Sequence, residues 1–285
     1  MVTEGPRHTL IQITDSHIRA EDTTGAGQVD TFALLGSALR VVEALAPRPT
    51  AVLFTGDLAD DGDPLAYSRL RDLVGPVLAR IGVPAVYLPG NHDVRGVMRE
   101  HLLDQAPDDA PLDSVSWFGD VRVVALDSTV PGFAYGLLEP AQLEWLRSEL
   151  ATPAPAGTVV ALHHPPLPSF APFTSSIELQ NRADLAAAIA GTDVRAVLAG
   201  HTHMVGGGVV AGVPVWTGGP LATIQDPVLP GGALRGLAAP GLTRLDLYTN
   251  TAVATHVPID VDVVWQVPPE KLAPTVEKFR SQLPS

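Results

Sequence analysis

Short apolar runs alternate along the chain with longer segments in which apolar residues recur every three or four positions. The short runs have the length of strands and are bounded by turn residues. Most of them lack the alternation of apolar and polar residues that is typical of a strand with one solvent-exposed face, so they predict strands buried on both faces. These runs cover residues 9–14, 51–55, 85–89, 121–126, 158–162 and 194–199.

The segments between several of these runs have helical character. Phe32, Leu35, Leu39 and Val42 follow the i, i+3, i+4 spacing of one helix face. Asp63 followed by proline is a typical helix start, with an aspartate N-cap and proline at the first position. Further helices are predicted over residues 96–105, 140–150 and 181–190.

Strands that alternate with helices indicate an α/β fold. The short spacing around residues 117–121 predicts a hairpin, so the sheets should be mixed. Further strands are predicted over 205–210, 213–217, 242–248 and 252–257. We therefore expect a β-sandwich of two mixed sheets flanked by α-helices, in αββα layers. Residues 1–257 should form one domain with a glycine- and proline-rich surface loop at 218–241. Residues 258–285 should form a tail with a short helix from about Glu270.

Five predicted strands end in side chains that can bind metal ions. Because ligands gather at the carboxyl ends of strands in α/β sheets, these five strand ends could meet in one crevice. The carboxylate, imidazole and amide donors, without sulfur, favour manganese, iron or zinc. The candidates are Asp15 and His17, then Asp57, then Asn91 and His92, then His163 or His164, and last His201 and His203.

Composition narrows the classes of function. The chain has 31 acidic and 18 basic residues, for a net charge of −13. This balance argues against a nucleic acid polymer or an anionic membrane surface as partner. The absence of cysteine excludes disulfides, thiolate metal sites and cysteine nucleophiles. No apolar run approaches the roughly 20 residues of a membrane span, and no secretory signal is visible, so we expect a cytoplasmic protein.

The ordered motifs D-x-H, G-D-x-x-D, G-N-H-D, H and G-H-x-H between Asp15 and His203 resemble the pattern of the calcineurin-like metallophosphoesterases. More narrowly, segments such as GNHDVR and GTDVRAVLAGHTH resemble the class III cyclic nucleotide phosphodiesterases of actinobacteria. This resemblance implies a binuclear centre with two metal ions, Fe, Mn or Zn. It also implies a small-molecule substrate and, because family members often form dimers, a homodimer.

The resemblance assigns the metal ligands position by position. It implies one ion held by Asp15, His17, Asp57 and His203, and a second held by Asp57, Asn91, His163 and His201. Asp57 would bridge the two ions. The register of the family favours His163 over His164.

The resemblance also implies the reaction. A hydroxide between the ions would attack phosphorus, and His92 would act as general acid on the leaving oxygen. Asp60 matches the carboxylate that orients this histidine in related phosphatases, and Asp93 is the alternative. Asn91, His92 and His203 would contact the substrate.

The favoured substrate is 3',5'-cyclic AMP, with adenosine 5'-monophosphate as the product. One alternative is a broad phosphodiesterase acting on 2',3'-cyclic nucleotides, glycerophosphodiesters or aryl phosphodiesters. The other is a binding scaffold of the same fold without catalysis.

Overall fold

The computed structural model describes residues 5–21, 29–228 and 233–282. One sheet contains β1 (His8–Ile13), β2 (Ala51–Thr55), β3 (Ala85–Leu88), β12 (Gly241–Leu247) and β13 (Ala252–Pro258), in the order β13-β12-β1-β2-β3. β1, β2 and β3 run parallel, whereas β12 pairs antiparallel with both β1 and β13.

A second sheet contains β4 (Ser114–Phe118), β5 (Val121–Leu126), β6 (Thr158–Leu162), β7 (Val194–Ala199), β8 (Gly206–Val210) and β9 (Val213–Thr217). Its order is β4-β5-β6-β7-β9-β8, with antiparallel pairs at both edges and parallel pairs between them. Both sheets are therefore mixed, and the predicted hairpin around residues 117–121 is confirmed.

Helices cover the outer faces of the two sheets. The first sheet carries α1 (Thr31–Ala44), α2 (Pro64–Ile81) and α3 (Arg95–His101), and the second carries α4 (Pro140–Leu150) and α6 (Arg182–Ile189). The predicted N-cap of α2 is confirmed, because the Asp63 carboxylate accepts a hydrogen bond of 2.7 Å from the main-chain N–H of Leu65. A short helix, α5 (Pro172–Ser176), and a terminal helix, α7 (Pro269–Ser281), complete the helices of the described residues.

Strand alternation divides the core into three layers. Along β2, Ala51 and Leu53 face the second sheet, whereas Val52 and Phe54 face the helices on the other side. Because each inner strand supplies apolar side chains to both faces, the apolar runs show no polar alternation. The structure therefore confirms the predicted αββα sandwich.

Some elements differ from the predictions. α3 ends at His101 rather than near residue 105, because Asp104 adopts a positive φ of 57° that cannot continue a helix. The predicted surface loop at 218–241 contains a small hairpin of β10 (Ile224–Gln225) and β11 (Gly236–Leu237). Its first residues are also buried, since Leu221 packs fully inside the core between the first sheet and its helices.

The tail carries α7 close to the predicted helix start at Glu270. No helix among the described residues has the length and apolar character needed to span a membrane.

Candidate metal centre

The predicted ligands lie together where the carboxyl ends of the two sheets meet. Asp15, His17, Asp57 and Asn91 follow strands of the first sheet, and the three remaining ligands follow β6 and β7 of the second. They surround a cavity of about 360 Å³, which His17, Asp57, Asn91, His92, His201 and His203 help to line. The centre thus joins the two halves of the sandwich.

The backbone at this centre is strained. Five of the seven predicted ligands have positive φ angles between 43° and 70°: Asp15, His17, Asp57, His201 and His203. A left-handed backbone is uncommon outside glycine, although aspartate and histidine tolerate it better than most residues. Such residues cluster at functional sites, because the strain persists only where the surrounding structure enforces it.

Two glycines of the motifs allow close approach between the ligand loops. A Cβ on Gly56, whose φ is 92°, would lie 2.3 Å from Nδ1 of His163. A Cβ on Gly90 would lie 2.2 Å from Oδ1 of Asp57. Any side chain at these positions would therefore push the ligands apart.

The donor atoms form three overlapping groups, two of which contain predicted ligands alone, while the third joins His17 and Asp57 to His92. In the first, Nε2 of His203 lies 3.1 Å from Nε2 of His17 and 3.5 Å from Oδ1 of Asp15. In the second, Nε2 of His163 lies 3.2 Å from Oδ2 of Asp57, and His201 lies within the same cluster. Asp57 also approaches the first group, because its Oδ2 lies 3.7 Å from Nε2 of His17.

Each of the four imidazoles has one ring nitrogen occupied by an acceptor outside the cluster. Nδ1 of His17 contacts the Asp60 carboxylate at 3.1 Å, whereas Nδ1 of His163 contacts the Thr55 carbonyl at 2.9 Å. Nδ1 of His203 contacts the Thr223 carbonyl at 2.7 Å. In His201 it is Nε2 that contacts a carbonyl, that of Ile177, at 2.7 Å.

A neutral imidazole carries one proton. These contacts place that proton on the outer nitrogen, which faces away from the cluster, and leave a free lone pair on the inner nitrogen, which faces the cluster. This arrangement is typical of histidines that bind metal ions.

Two further atoms support a cation site. Nε2 of His163 and Oδ1 of Asn91 are buried and have no hydrogen-bond partner within the described residues. Buried polar atoms are rarely left unpaired, and such an atom indicates a missing ion or water. His164 differs from His163, because its Nδ1 contacts Ser128 at 2.8 Å and its Nε2 contacts the Ala134 carbonyl at 3.2 Å. The residues present therefore fit a cation.

The charges of the centre favour a cation as well. Burial opposes charge on His163, but the adjacent Asp57 carboxylate raises the pKa of His163 to about 9. Although burial acts against it, the neighbouring His163 and His17 hold the pKa of Asp57 well below its usual range. Burial and the nearby His163 lower the pKa of His201 to about 4. The Asp57 carboxylate therefore attracts positive charge. A proton and a metal ion can each supply this charge, so they compete for the donor atoms around Asp57.

His92 lies beside the cluster and is exposed to solvent. Its main-chain N–H donates to Oδ1 of Asp57 at 2.9 Å, and its Nδ1 donates to the main-chain carbonyl of Asp60 at 2.6 Å. The Asp60 carboxylate instead pairs with His17 and, at 2.8 Å, with Nε of Arg19. The contact that orients His92 is thus made by a carbonyl of Asp60 rather than by its carboxylate.

Asp93, the alternative orienting residue, has a different environment. Its carboxylate accepts hydrogen bonds from the main-chain N–H groups of Leu58, Ala59 and Gly90 at 2.8 to 3.0 Å. It also accepts one from the Tyr67 hydroxyl at 2.9 Å. Asp93 therefore joins the loop that carries Asp57 to the loop that carries Asn91.

The remaining wall of the cavity was not predicted from the sequence. This wall contains Phe173 and Thr174 of α5, Gln225 of β10 and Arg235 beside β11. Arg235 is the only lysine or arginine among the described residues that line the cavity. The signal in the sequence that could have indicated this wall is the pair of charged residues, Asp226 and Arg235, in the otherwise uncharged loop at 218–241. The carbonyl groups that orient the histidines belong to the main chain, so the residue types along the sequence do not reveal them.

The arrangement of strands and helices occurs in other solved structures. A purple acid phosphatase from yellow lupin superposes with a TM-score of 0.55 at 15% identity, covering 84% of this chain and 49% of that one. This likeness concerns the fold, a sandwich of two mixed sheets with helices on the outer faces. The particular family follows from the sequence, since the profile of the calcineurin-like phosphoesterases matches residues 8–205. The chain belongs to this family of hydrolases, and the predicted resemblance is confirmed.

Two curated relatives are similar over most of their length. A cAMP/cGMP dual specificity phosphodiesterase of Mycobacterium tuberculosis is 42% identical, covering 89% of this chain and 80% of the relative. A probable cyclic nucleotide phosphodiesterase of Rhodococcus erythropolis is 40% identical, covering 90% and 86%. The similarity thus extends beyond the metal motifs.

Proposed function

We propose that the protein hydrolyses 3',5'-cyclic nucleotides, with cyclic AMP as the favoured substrate, to the 5'-monophosphate with the help of two metal ions. The main support is the set of donor atoms. Ring nitrogens of His17, His163 and His201 lie close to the Asp57 carboxylate, that of His203 lies close to Asp15, and Oδ1 of Asn91 is buried with no hydrogen-bond partner among the described residues. The names of the two curated relatives support the substrate class.

Asp15, His17, Asp57 and His203 would hold one ion, and Asp57, Asn91, His163 and His201 the other. When bound, such ions acidify water and neutralise the charge of a phosphoryl group. Iron, manganese and zinc all suit this mixture of nitrogen and oxygen donors. The position of Asp57 between the two groups of donors supports its role as the bridging ligand.

His92 would act as general acid. Because its Nδ1 donates to the Asp60 carbonyl, the proton that it delivers is the one on Nε2 of the imidazolium. As the water oxygen adds to phosphorus, it releases one proton to solvent, the bond from phosphorus to the 3'-oxygen breaks, and this oxygen takes the proton from Nε2 to become a hydroxyl. Asp60 is in this proposal a positioning residue that acts through its carbonyl group.

The cavity also has features that suit an anionic substrate. Asn91, His92 and His203 line it and would contact the phosphoryl group. Arg235 brings the N–H donors of a guanidinium to the wall of the cavity. Its guanidinium pairs with Asp226, which fixes its position beside the cavity.

The proposal is tested by metal analysis of the purified protein together with a panel of substrates. We expect about two ions per chain, and a kcat/KM for cyclic AMP at least as high as for 2',3'-cyclic AMP and bis(p-nitrophenyl) phosphate. If cyclic AMP ranks last by orders of magnitude, the protein is instead a broad phosphodiesterase. A metal-loaded protein that hydrolyses none of the three substrates would support the scaffold alternative.

A further inference from the structure

The cavity that contains the metal donors has a second wall with a different chemistry. Phe173, in α5, lines the cavity with an aromatic side chain that is 54% exposed. Gln225, in β10, lines it with a half-buried amide. An exposed aromatic ring and an amide that line the same cavity are a combination suited to a flat, polar ring.

Both wall elements are fixed to the metal donors by hydrogen bonds. The main-chain N–H of Gln225 donates to the carbonyl of His203 at 2.8 Å. The carbonyl of Ile177, directly after α5, accepts from Nε2 of His201 at 2.7 Å. A ligand held by this wall would therefore keep a defined position relative to the cations.

The two wall elements also contact each other through side chains. The hydroxyl of Thr174, which is only 1% exposed, donates to Oε1 of Gln225 at 3.3 Å. This bond leaves the Nε2 group of Gln225 without a partner within the described residues, and it leaves one lone pair on Oε1. The amide can therefore offer one donor and one acceptor side by side to a ligand.

We infer that Phe173 and Gln225 form the subsite for the nucleobase of the substrate, an inference that rests on the proposed function. Phe173 stacks on the base, as aromatic side chains do with every base. Nε2 of Gln225 donates to N7 and Oε1 accepts from the 6-amino group, the pairing that glutamine makes with adenine. Guanine carries an acceptor at position 6, so the subsite favours adenine.

The stacking part is tested by the affinity of the metal-loaded protein for adenosine 5'-monophosphate and for ribose 5-phosphate, which lacks the base. Isothermal titration calorimetry gives both Kd values. We expect the wild-type protein to prefer the nucleotide, and Phe173→Ala to weaken nucleotide binding about 5- to 150-fold without changing the Kd of ribose 5-phosphate. Phe173→Tyr should keep the preference.

Phe170 provides a matched control, because it is a second phenylalanine of the same loop, 72% exposed, that lines a different cavity. Phe170→Ala should leave both Kd values within about twofold of wild type. Equal affinity of the wild-type protein for the two ligands, binding of neither, or equal effects of the two alanine variants would overturn the inference.

The hydrogen-bonding part is tested with 7-deazaadenosine 5'-monophosphate, in which a carbon replaces N7. The wild-type protein should bind this analogue about 5-fold or more weakly than adenosine 5'-monophosphate. Gln225→Leu should bind the two nucleotides equally well. An unchanged discrimination in Gln225→Leu would exclude Gln225 from base recognition.

The failure of this inference is distinguishable from the failure of the proposed function. If cyclic AMP is hydrolysed but base binding does not depend on Phe173 and Gln225, the inference alone is wrong. If base binding depends on both residues but cyclic AMP is not hydrolysed, the subsite is correct and the proposed reaction is wrong.

Discussion

His92 illustrates how a main-chain group can define the role of a side chain. The Asp60 carbonyl fixes the proton on Nδ1, so only Nε2 can exchange a proton with a ligand in the cavity. The residue lies next to Asn91 in sequence, and one of its ring nitrogens lies within 4.8 Å of donor atoms of His17 and Asp57, but the proposed ligand sets of the two ions do not include it. Its removal should therefore affect proton transfer more than metal binding.

We expect His92→Ala to retain its metal ions and to lose about 10²- to 10⁴-fold in kcat/KM for cyclic AMP, the range of general acid catalysis. The loss should be smaller for bis(p-nitrophenyl) phosphate, whose leaving group needs no proton. Steady-state kinetics and elemental analysis measure both effects. His101→Ala, a histidine at the end of α3 that contacts Glu100, serves as control. Unchanged turnover of cyclic AMP in His92→Ala would refute the general-acid role.

Tyr67 stabilises the same region through a buried hydroxyl. The hydroxyl donates to Asp93 at 2.9 Å and accepts from the main-chain N–H of Val94 at 2.9 Å, and the side chain is fully buried. Tyr67→Phe would leave the N–H of Val94 without its partner. We expect the free energy of unfolding to fall by about 1–3 kcal/mol, measured by denaturant titration.

Tyr87→Phe is the matched control for this variant. The Tyr87 ring stacks on Phe54 with centroids 4.8 Å apart, but its hydroxyl makes no hydrogen bond within the described part of the chain. Loss of that hydroxyl should change the free energy of unfolding by less than about 0.5 kcal/mol. Equal effects of the two substitutions would show that the Tyr67 bonds add nothing to stability.

At the scale of elements, the turn between β8 and β9 departs from its preferred sequence. Ala211 and Gly212 both have positive φ, 51° and 82°, as in a type I′ turn. Asparagine followed by glycine is favoured in such turns, whereas alanine is disfavoured at positive φ. Ala211→Asn should therefore stabilise the protein by about 1 kcal/mol, detected as a higher midpoint of denaturant unfolding.

Ala190→Asn tests whether the gain comes from the backbone angle. Ala190 is also exposed, but its φ is −59°. This substitution should bring no stabilisation, since alanine tolerates negative φ well. A gain of the same size at both positions would contradict the turn argument.

The elements also show which parts of the structure the sequence can predict. β1, β2, β3, β6 and β7 were predictable because each is a short, mostly apolar run, and the ligands follow them directly in sequence. α5 and the β10–β11 hairpin were not, because five-residue and two-residue elements carry no measurable periodicity. The second wall of the cavity could therefore be identified only from the structure.

At the scale of the whole molecule, the ligands connect the two sheets of the sandwich. Cations bound at the centre should therefore stabilise the entire fold, by about 2.7 kcal/mol at a free metal concentration of 100 times Kd. We expect chelation to lower Tm by several degrees in differential scanning calorimetry, with recovery when metal is added back.

Asp57→Ala provides the control for chelation. Because Asp57 contacts both groups of donors, its loss should disturb both ions and remove the difference in Tm between metal-loaded and chelated protein. Full metal occupancy in Asp57→Ala, or a Tm that chelation does not change in the wild-type protein, would contradict a centre that joins the sheets.

The left-handed backbone at five ligand positions has a consequence for protein engineering. Glycine would relax the chain at each of these positions, so a library selected for heat resistance in the presence of a chelator, where no bound cation adds stability, should accumulate glycine or asparagine there. A library selected for turnover should keep aspartate and histidine. The two selections would therefore diverge first at these five residues, and sequencing both populations would locate the catalytic centre without any assay of an individual variant.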